Sequence, residues 1–157
     1  MKLFAVVLLT GLAILGQPAY TIPKPMQPLR MLEGEWHASG SWMEFRFEAN
    51  NTRMIARVRP ENGGSGWHAI MTISLRGGVV TAEAPGLSGP PVHYTLTESG
   101  AGQLVFSEDS PAGGEPWRIV YVRDAHSDQI RYLFIKGSKV IDRQLLTGRA
   151  QLRPLTE

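Results

Sequence analysis

From residue 36 onward, apolar and polar side chains alternate one by one instead of recurring at helical spacing. A period of two is the mark of half-buried strands, whose successive side chains point to opposite faces. Three turn signals allow the pairing to be worked out. Asn50-Asn51 lies between two alternating runs and suits a two-residue turn with positive φ. Folding there sets Phe47 against Met54, Phe45 against Ala56 and Met43 against Val58 on one apolar face. The other face carries Glu44 opposite Arg57 and Glu48 opposite Arg53. A slip of one residue would destroy both faces, so the register is strongly specified. Gly77-Gly78 in turn predicts Leu75 against Val80, Ile73 against Ala82 and Met71 against Ala84, with Trp67 and Ala69 extending that face. Gly137-Ser138 predicts Phe134 against Ile141, Tyr132 against Arg143 and Ile130 against Leu145, a face taken as inward.

Between these hairpins, residues 92–97, 103–107 and 117–122 form further strands, with Val92, Tyr94, Leu96, Leu104, Phe106, Trp117, Ile119 and Tyr121 inward. The loops at 60–66, 85–91 and 110–116 are rich in Gly and Pro. The expected fold is all-β, an antiparallel up-and-down meander of about nine or ten strands. A meander of that length loses its exposed edges by closing into a barrel, and such a barrel has room for one small ligand.

The N-terminus reads differently. Met1-Lys2 is a short positive start, residues 3–15 are almost wholly apolar, and Gly16-Gln17-Pro18-Ala19 is small and turn-prone. This is the pattern of a secretory signal peptide, residues 1–19, which predicts a periplasmic or secreted protein. The apolar run is shorter than the roughly 20 residues a membrane span requires. Residues 20–28 read as a flexible proline-rich arm, and residues 29–157 as the barrel domain. Residues 27–33 could add one helical turn closing an end of the barrel. The absence of cysteine excludes a disulfide framework and a thiolate zinc site. A formal net charge of +2, with both signs interspersed, gives no electrostatic case for nucleic acid.

Leu32-Glu33-Gly34-Glu35-Trp36 stands at the head of the strands, and Pro116-Trp117-Arg118-Ile119-Val120-Tyr121 stands late in the chain. With Glu44, Met54 and Phe106 in order between them, these segments resemble an uncharacterised family of bacterial secreted lipocalin-like, or calycin-type, β-barrel domains. The resemblance covers nearly all the chain after the leader. It implies a lipocalin- or fatty-acid-binding-protein-like barrel, with Trp36 plugging the closed end and Gly34 letting the chain turn in beneath it. It brings no known reaction. A His-Asp pair common in that family before Pro-x-Arg-Ile is absent here, where the loop is Ala112-Gly113-Gly114-Glu115. In similar barrels a terminal basic residue packs over the tryptophan, a structural role that falls to Arg149.

The candidate chemistry is sparse. His37, His68 and His93 alternate with inward neighbours and should face outward, and His126 lies in a loop, which leaves no inward ligand for haem or a metal. Ser65, Ser88 and Ser110 lie in loops without the strand-to-helix context of a catalytic elbow. Glu108 and Asp109 read as a solvated strand end. Neither a cofactor nor a catalytic residue is indicated. One residue breaks the pattern: Arg143 falls on an apolar face, which is costly unless an anion pairs with it. That placement predicts an amphipathic acid, its head held by Arg143 with Tyr132, Tyr121 and Tyr94, and its body walled by Trp117, Trp67, Phe45 and Phe134. A mouth-lying Arg143 with its head in water is the alternative. Two functions follow: a carrier of a small, mostly apolar molecule, or an interaction module with a side-chain-filled barrel. An inward set that keeps polar groups would favour the first. The sequence names no protein partner.

Overall fold

The structure is a computed structural model that describes residues 21–62, 64, 66–86, 89–111, 114–123 and 128–150, except for the side chains of residues 49, 149 and 150. The expected signal segment at residues 1–19, His126, Ser65 and Ser88 lie outside the described residues. A 3-10 helix at Lys24–Met31 precedes ten strands among the described residues. These are β1 (Gly34–Ala38), β2 (Ser41–Glu48), β3 (Arg53–Pro60), β4 (His68–Arg76), β5 (Val79–Ala84), β6 (Val92–Gly100), β7 (Gln103–Glu108), β8 (Trp117–Arg123), β9 (Gln129–Lys136) and β10 (Lys139–Ala150). Each strand pairs antiparallel with the next, and β10 pairs back onto β1 to close the barrel. The meander expected from the alternation is therefore the fold.

The first two turns carry the registers that the sequence specifies. Glu48 stands opposite Arg53 and Phe45 opposite Ala56 across Asn50 and Asn51, whose φ values are 61° and 55°. Leu75 stands opposite Val80 across Gly77-Gly78, at φ 56° and 84°. Positive φ at both central residues gives the turn a twist that matches that of the flanking strands. Phe45, Met54, Met71, Ile73, Tyr94, Phe106 and Ile119 share one buried interior, and Phe134 packs against it. Glu44 stands opposite Arg57 as expected, but the ion pair to Arg57 comes from Glu48, at 3.4 Å, which also lies 3.6 Å from Arg53, so a single carboxylate serves both arginines.

The proline-rich arm is shorter than the sequence suggests. Met26, Leu29 and Leu32 recur every third residue and all three are fully buried. Side chains three apart eclipse on a 3-10 helix, so this spacing fits the short helix and gives it one apolar edge. That edge plugs one end of the barrel. Trp36 is also fully buried there, and its indole N–H donates to the Leu32 carbonyl at 2.7 Å. Gly34, at φ 135°, gives the chain the turn it needs before Trp36. The cation over the tryptophan ring is Arg123, at 5.6 Å, which also donates to the Met31 carbonyl at 3.2 Å. Arg149 pairs along the backbone with Glu35, while its side chain lies outside the described residues.

The third turn departs from expectation. Val140 is opposite Ile135, as a turn at Gly137-Ser138 requires, but the partner of Phe134 is Asp142 and not Ile141. Ile141 is the extra residue of a β-bulge, and a bulge reverses the parity of everything beyond it. Asp142, Gln144 and Leu146 therefore stand opposite Phe134, Tyr132 and Ile130, while Arg143 stands opposite Leu133 and is exposed. A second bulge, at Ile70, places Ala69 opposite Arg57 instead of on the apolar face. It also sets His68 opposite Val58, at the rim instead of outward, where it is exposed. A third falls at Thr97, between the pairs Leu96–Phe106 and Glu98–Val105.

Candidate functional site

The half of the barrel away from Trp36 is not filled. A pocket of about 950 Å³ opens there, between the β5–β6 loop and the β7–β8 loop. Its walls are Met43, Ile70, Met71, Val92, Ile119, Trp117 and Phe134, with Pro85, Pro90 and Pro91 at the mouth. Trp117 and Phe134 stack with ring centroids 4.5 Å apart and planes 11° apart. They neighbour each other because Ile119 pairs with Phe134 and Trp117 with Lys136 across β8 and β9. Lys136 lies over the Trp117 ring at 5.1 Å, a cation at the rim.

The polar groups in this pocket arise from strand parity. Tyr94 on β6 faces Glu108 on β7. Tyr121 on β8 faces Tyr132 on β9, and Tyr132 faces Gln144 on β10. All five line the pocket, with Asp142 two positions before Gln144 on the same face. Tyr94 and Tyr121 are 4% and 3% exposed, and among the described residues neither hydroxyl has a hydrogen-bond partner. Neither oxygen is closed off from the pocket, so both hydroxyls are open to bond a group that enters it. The Glu108 carboxylate accepts the Trp117 backbone N–H at 3.0 Å. Asp142 accepts the Arg143 backbone N–H at 2.8 Å and the Gln144 amide at 3.0 Å. Asp109 accepts from the Thr95 hydroxyl at 2.6 Å.

The tyrosines are held neutral. Burial, with the Asp142 carboxylate and Tyr94 beside it, pushes the Tyr132 phenol up to about 12. Burial and then Tyr132 raise Tyr121 well above the ordinary phenol value, and burial and then Glu108 raise Tyr94. A phenol whose value is higher in the folded chain than in the unfolded one contributes stability that is complete below the unfolded value of 10.0. That stability is lost as pH rises through the folded value. The urea midpoint should therefore fall as pH climbs from 10 toward 12, and Tyr132→Phe should flatten that fall. A midpoint with the same alkaline slope in both proteins would show that Tyr132 ionises as freely folded as unfolded.

Of the residues expected at the site, Tyr94, Tyr121, Tyr132, Trp117 and Phe134 are brought together in the pocket. Phe45 is buried behind it, edge-on to Tyr121 at 5.8 Å. Trp67 lies outside it, its ring under the Arg59 guanidinium at 4.8 Å. Arg143 is outside as well, turned out by the Ile141 bulge, so the inward cation on which an acid-binding site would rest is not there. The residues missed from the sequence are Glu108, Asp142 and Gln144. Glu108 was findable, since Leu104, Phe106 and Glu108 share one parity. Asp142 and Gln144 were hidden by the bulge. Of the histidines, His93 reaches the mouth and lies 3.7 Å from Glu83, while His37 lies 3.2 Å from Glu61 outside the pocket. Among the described residues, no three His, Cys, Asp or Glu side chains come together as a metal site would require.

Comparison with protein-family models, with curated proteins and with solved structures finds no match to this chain.

Proposed function

We propose that this chain is an exported binding protein that holds a small, mostly apolar molecule in the open half of its barrel. The observation that carries this reading is the pocket of about 950 Å³, walled by apolar and aromatic side chains and lined by two tyrosines whose hydroxyls have no hydrogen-bond partner among the described residues. Small-molecule sites are of this kind: concave, apolar, about 300–1,000 Å³, with a few convergent polar groups that fix orientation. A barrel filled by its own side chains would place large apolar residues where Tyr94, Tyr121, Glu108 and Gln144 stand. Export rests on the leader-like residues 1–19.

A surface-acting module is the second reading, favoured by the exposure of Val140, Ile141 and Leu145 together on β10. Native mass spectrometry of the exported protein separates the two. The mature chain should begin near Tyr20 and carry a small-molecule adduct. Ile70→Trp, which narrows the pocket, should lower the occupied fraction at unchanged secondary structure. An adduct as abundant in Ile70→Trp as in the wild type would place the molecule elsewhere. A full-length cytoplasmic product would end the export proposal.

A further inference from the structure

The pocket has an electrostatic sign. Its lining includes three carboxylates, Glu108, Asp109 and Asp142, and no Lys or Arg among the described residues. The nearest cations are at the rim. Lys136 is committed to the Trp117 ring, and His93 lies beside Glu83. A negative site with apolar walls concentrates its field and selects ligands by sign.

The tyrosine hydroxyls supply the second, independent half of the argument. Tyr94 and Tyr121 line the pocket with their oxygens unpartnered among the described residues, and Tyr132 lies next to Tyr121, ring centroids 5.5 Å apart. A neutral phenol oxygen is both a donor and an acceptor. Three such oxygens near two carboxylates form an acceptor-rich cluster. Its natural complement is a group with several donors and a positive charge. A primary ammonium has three N–H donors and no acceptor. A carboxylate head would find phenol donors but would be placed against Glu108 and Asp142.

From these two observations, which rest on the binding reading above, we propose that the ligand is an amphipathic primary amine. Its ammonium donates to the hydroxyls of Tyr94, Tyr121 and Tyr132 between the Glu108 and Asp142 carboxylates. Its apolar body lies along Met43, Ile70 and Phe134 toward the mouth. The site thus has the opposite sign to one built around an inward arginine.

Three probes of equal chain length decide the matter: decylamine, decanol and decanoate, each titrated into the mature protein by calorimetry near neutral pH. Decylamine should bind at least tenfold more tightly than decanol, and decanoate more weakly than either. Added salt should weaken decylamine alone. Asp142→Asn removes an exposed charge without altering the core, and should bring decylamine down toward decanol. Glu108→Gln keeps an acceptor for the Trp117 N–H and should do the same. Decanol binding as tightly as decylamine, or decanoate binding best, would overturn the amine and leave the apolar carrier standing. Binding of none of the three would overturn both. A preference for decylamine that survives in both variants would remove the carboxylates from the site and with them the inference.

Discussion

Trp36→Ala should lower the stability of this protein by about 3–5 kcal/mol, the usual cost of truncating a large buried aromatic side chain. Trp36 has no exposed surface, and it is the point where three things meet. The 3-10 helix lays Met26, Leu29 and Leu32 against the same end of the barrel. The Leu32 carbonyl accepts the indole N–H, and Arg123 covers the ring while bonding to Met31. Alanine would leave a cavity at the plug and orphan the Leu32 carbonyl. It would also leave the Arg123 guanidinium over a void. Urea denaturation should show an earlier midpoint at unchanged slope. Arg123→Met should cost less, because a cation over an aromatic face is worth about 0.5–2 kcal/mol. A loss below about 1 kcal/mol for Trp36→Ala would mean that the helix, and not the indole, closes the barrel, since buried aromatic truncations cost several times more.

That closed end was legible in the chain, because its signals are local. Gly34 and Trp36 are two residues apart, and the turns at Asn50-Asn51 and Gly77-Gly78 fix parity for the strands beside them. Wherever a strand runs from a tight turn without interruption, counting by twos gives the right face. Phe45, Met54 and Ile73 were placed in this way, and all are buried.

The open end was less legible, because two bulges, at Ile70 and Ile141, interrupt the count there. An extra residue in one strand is not marked by its own identity: Ile70 and Ile141 are as suited to regular strand as their neighbours. What decides is tertiary. At the third hairpin, unbroken alternation would have put Arg143 on the inward face with Phe134 and Tyr132. The bulge puts Asp142 and Gln144 there and leaves Arg143 exposed. An arginine stem and guanidinium facing Tyr132 would need a buried anion, whereas the bulge costs only one unpaired residue at the mouth. The charged residues that face the pocket were therefore the part that sequence parity read backwards, although the tyrosines were placed on the inward face. Trp67 failed for the same reason, at the Ile70 bulge. The proline-rich arm failed for another: the three-residue spacing of Met26, Leu29 and Leu32 was outweighed by the prolines around it.

Gly148→Ala should destabilise the barrel at its seam by about 3 kcal/mol, the upper end of the usual cost of overpacking. Gly148 lies within β10 directly opposite Trp36 of β1. A methyl group on Gly148 would collide with the Glu35 carbonyl oxygen and stand 3.0 Å from the Trp36 Cα. Both are backbone atoms, so neither can rotate away as a side-chain tip would. Relief requires β1 to move off β10. That motion weakens the one pairing that joins the end of the meander to its beginning, and it carries Trp36 with it out of the plug. The glycine is needed for space and not for its dihedral freedom. A glycine inside a strand often marks such a close backbone approach. Gly148→Ser should therefore cost about as much as Gly148→Ala. Amide exchange should quicken first in β1 and β10 of the variant, while the β4–β5 hairpin around Gly77-Gly78 keeps its protection until global unfolding. Wild-type stability in Gly148→Ala, or exchange that quickens evenly around the barrel, would show that the seam is no tighter than any other strand pair.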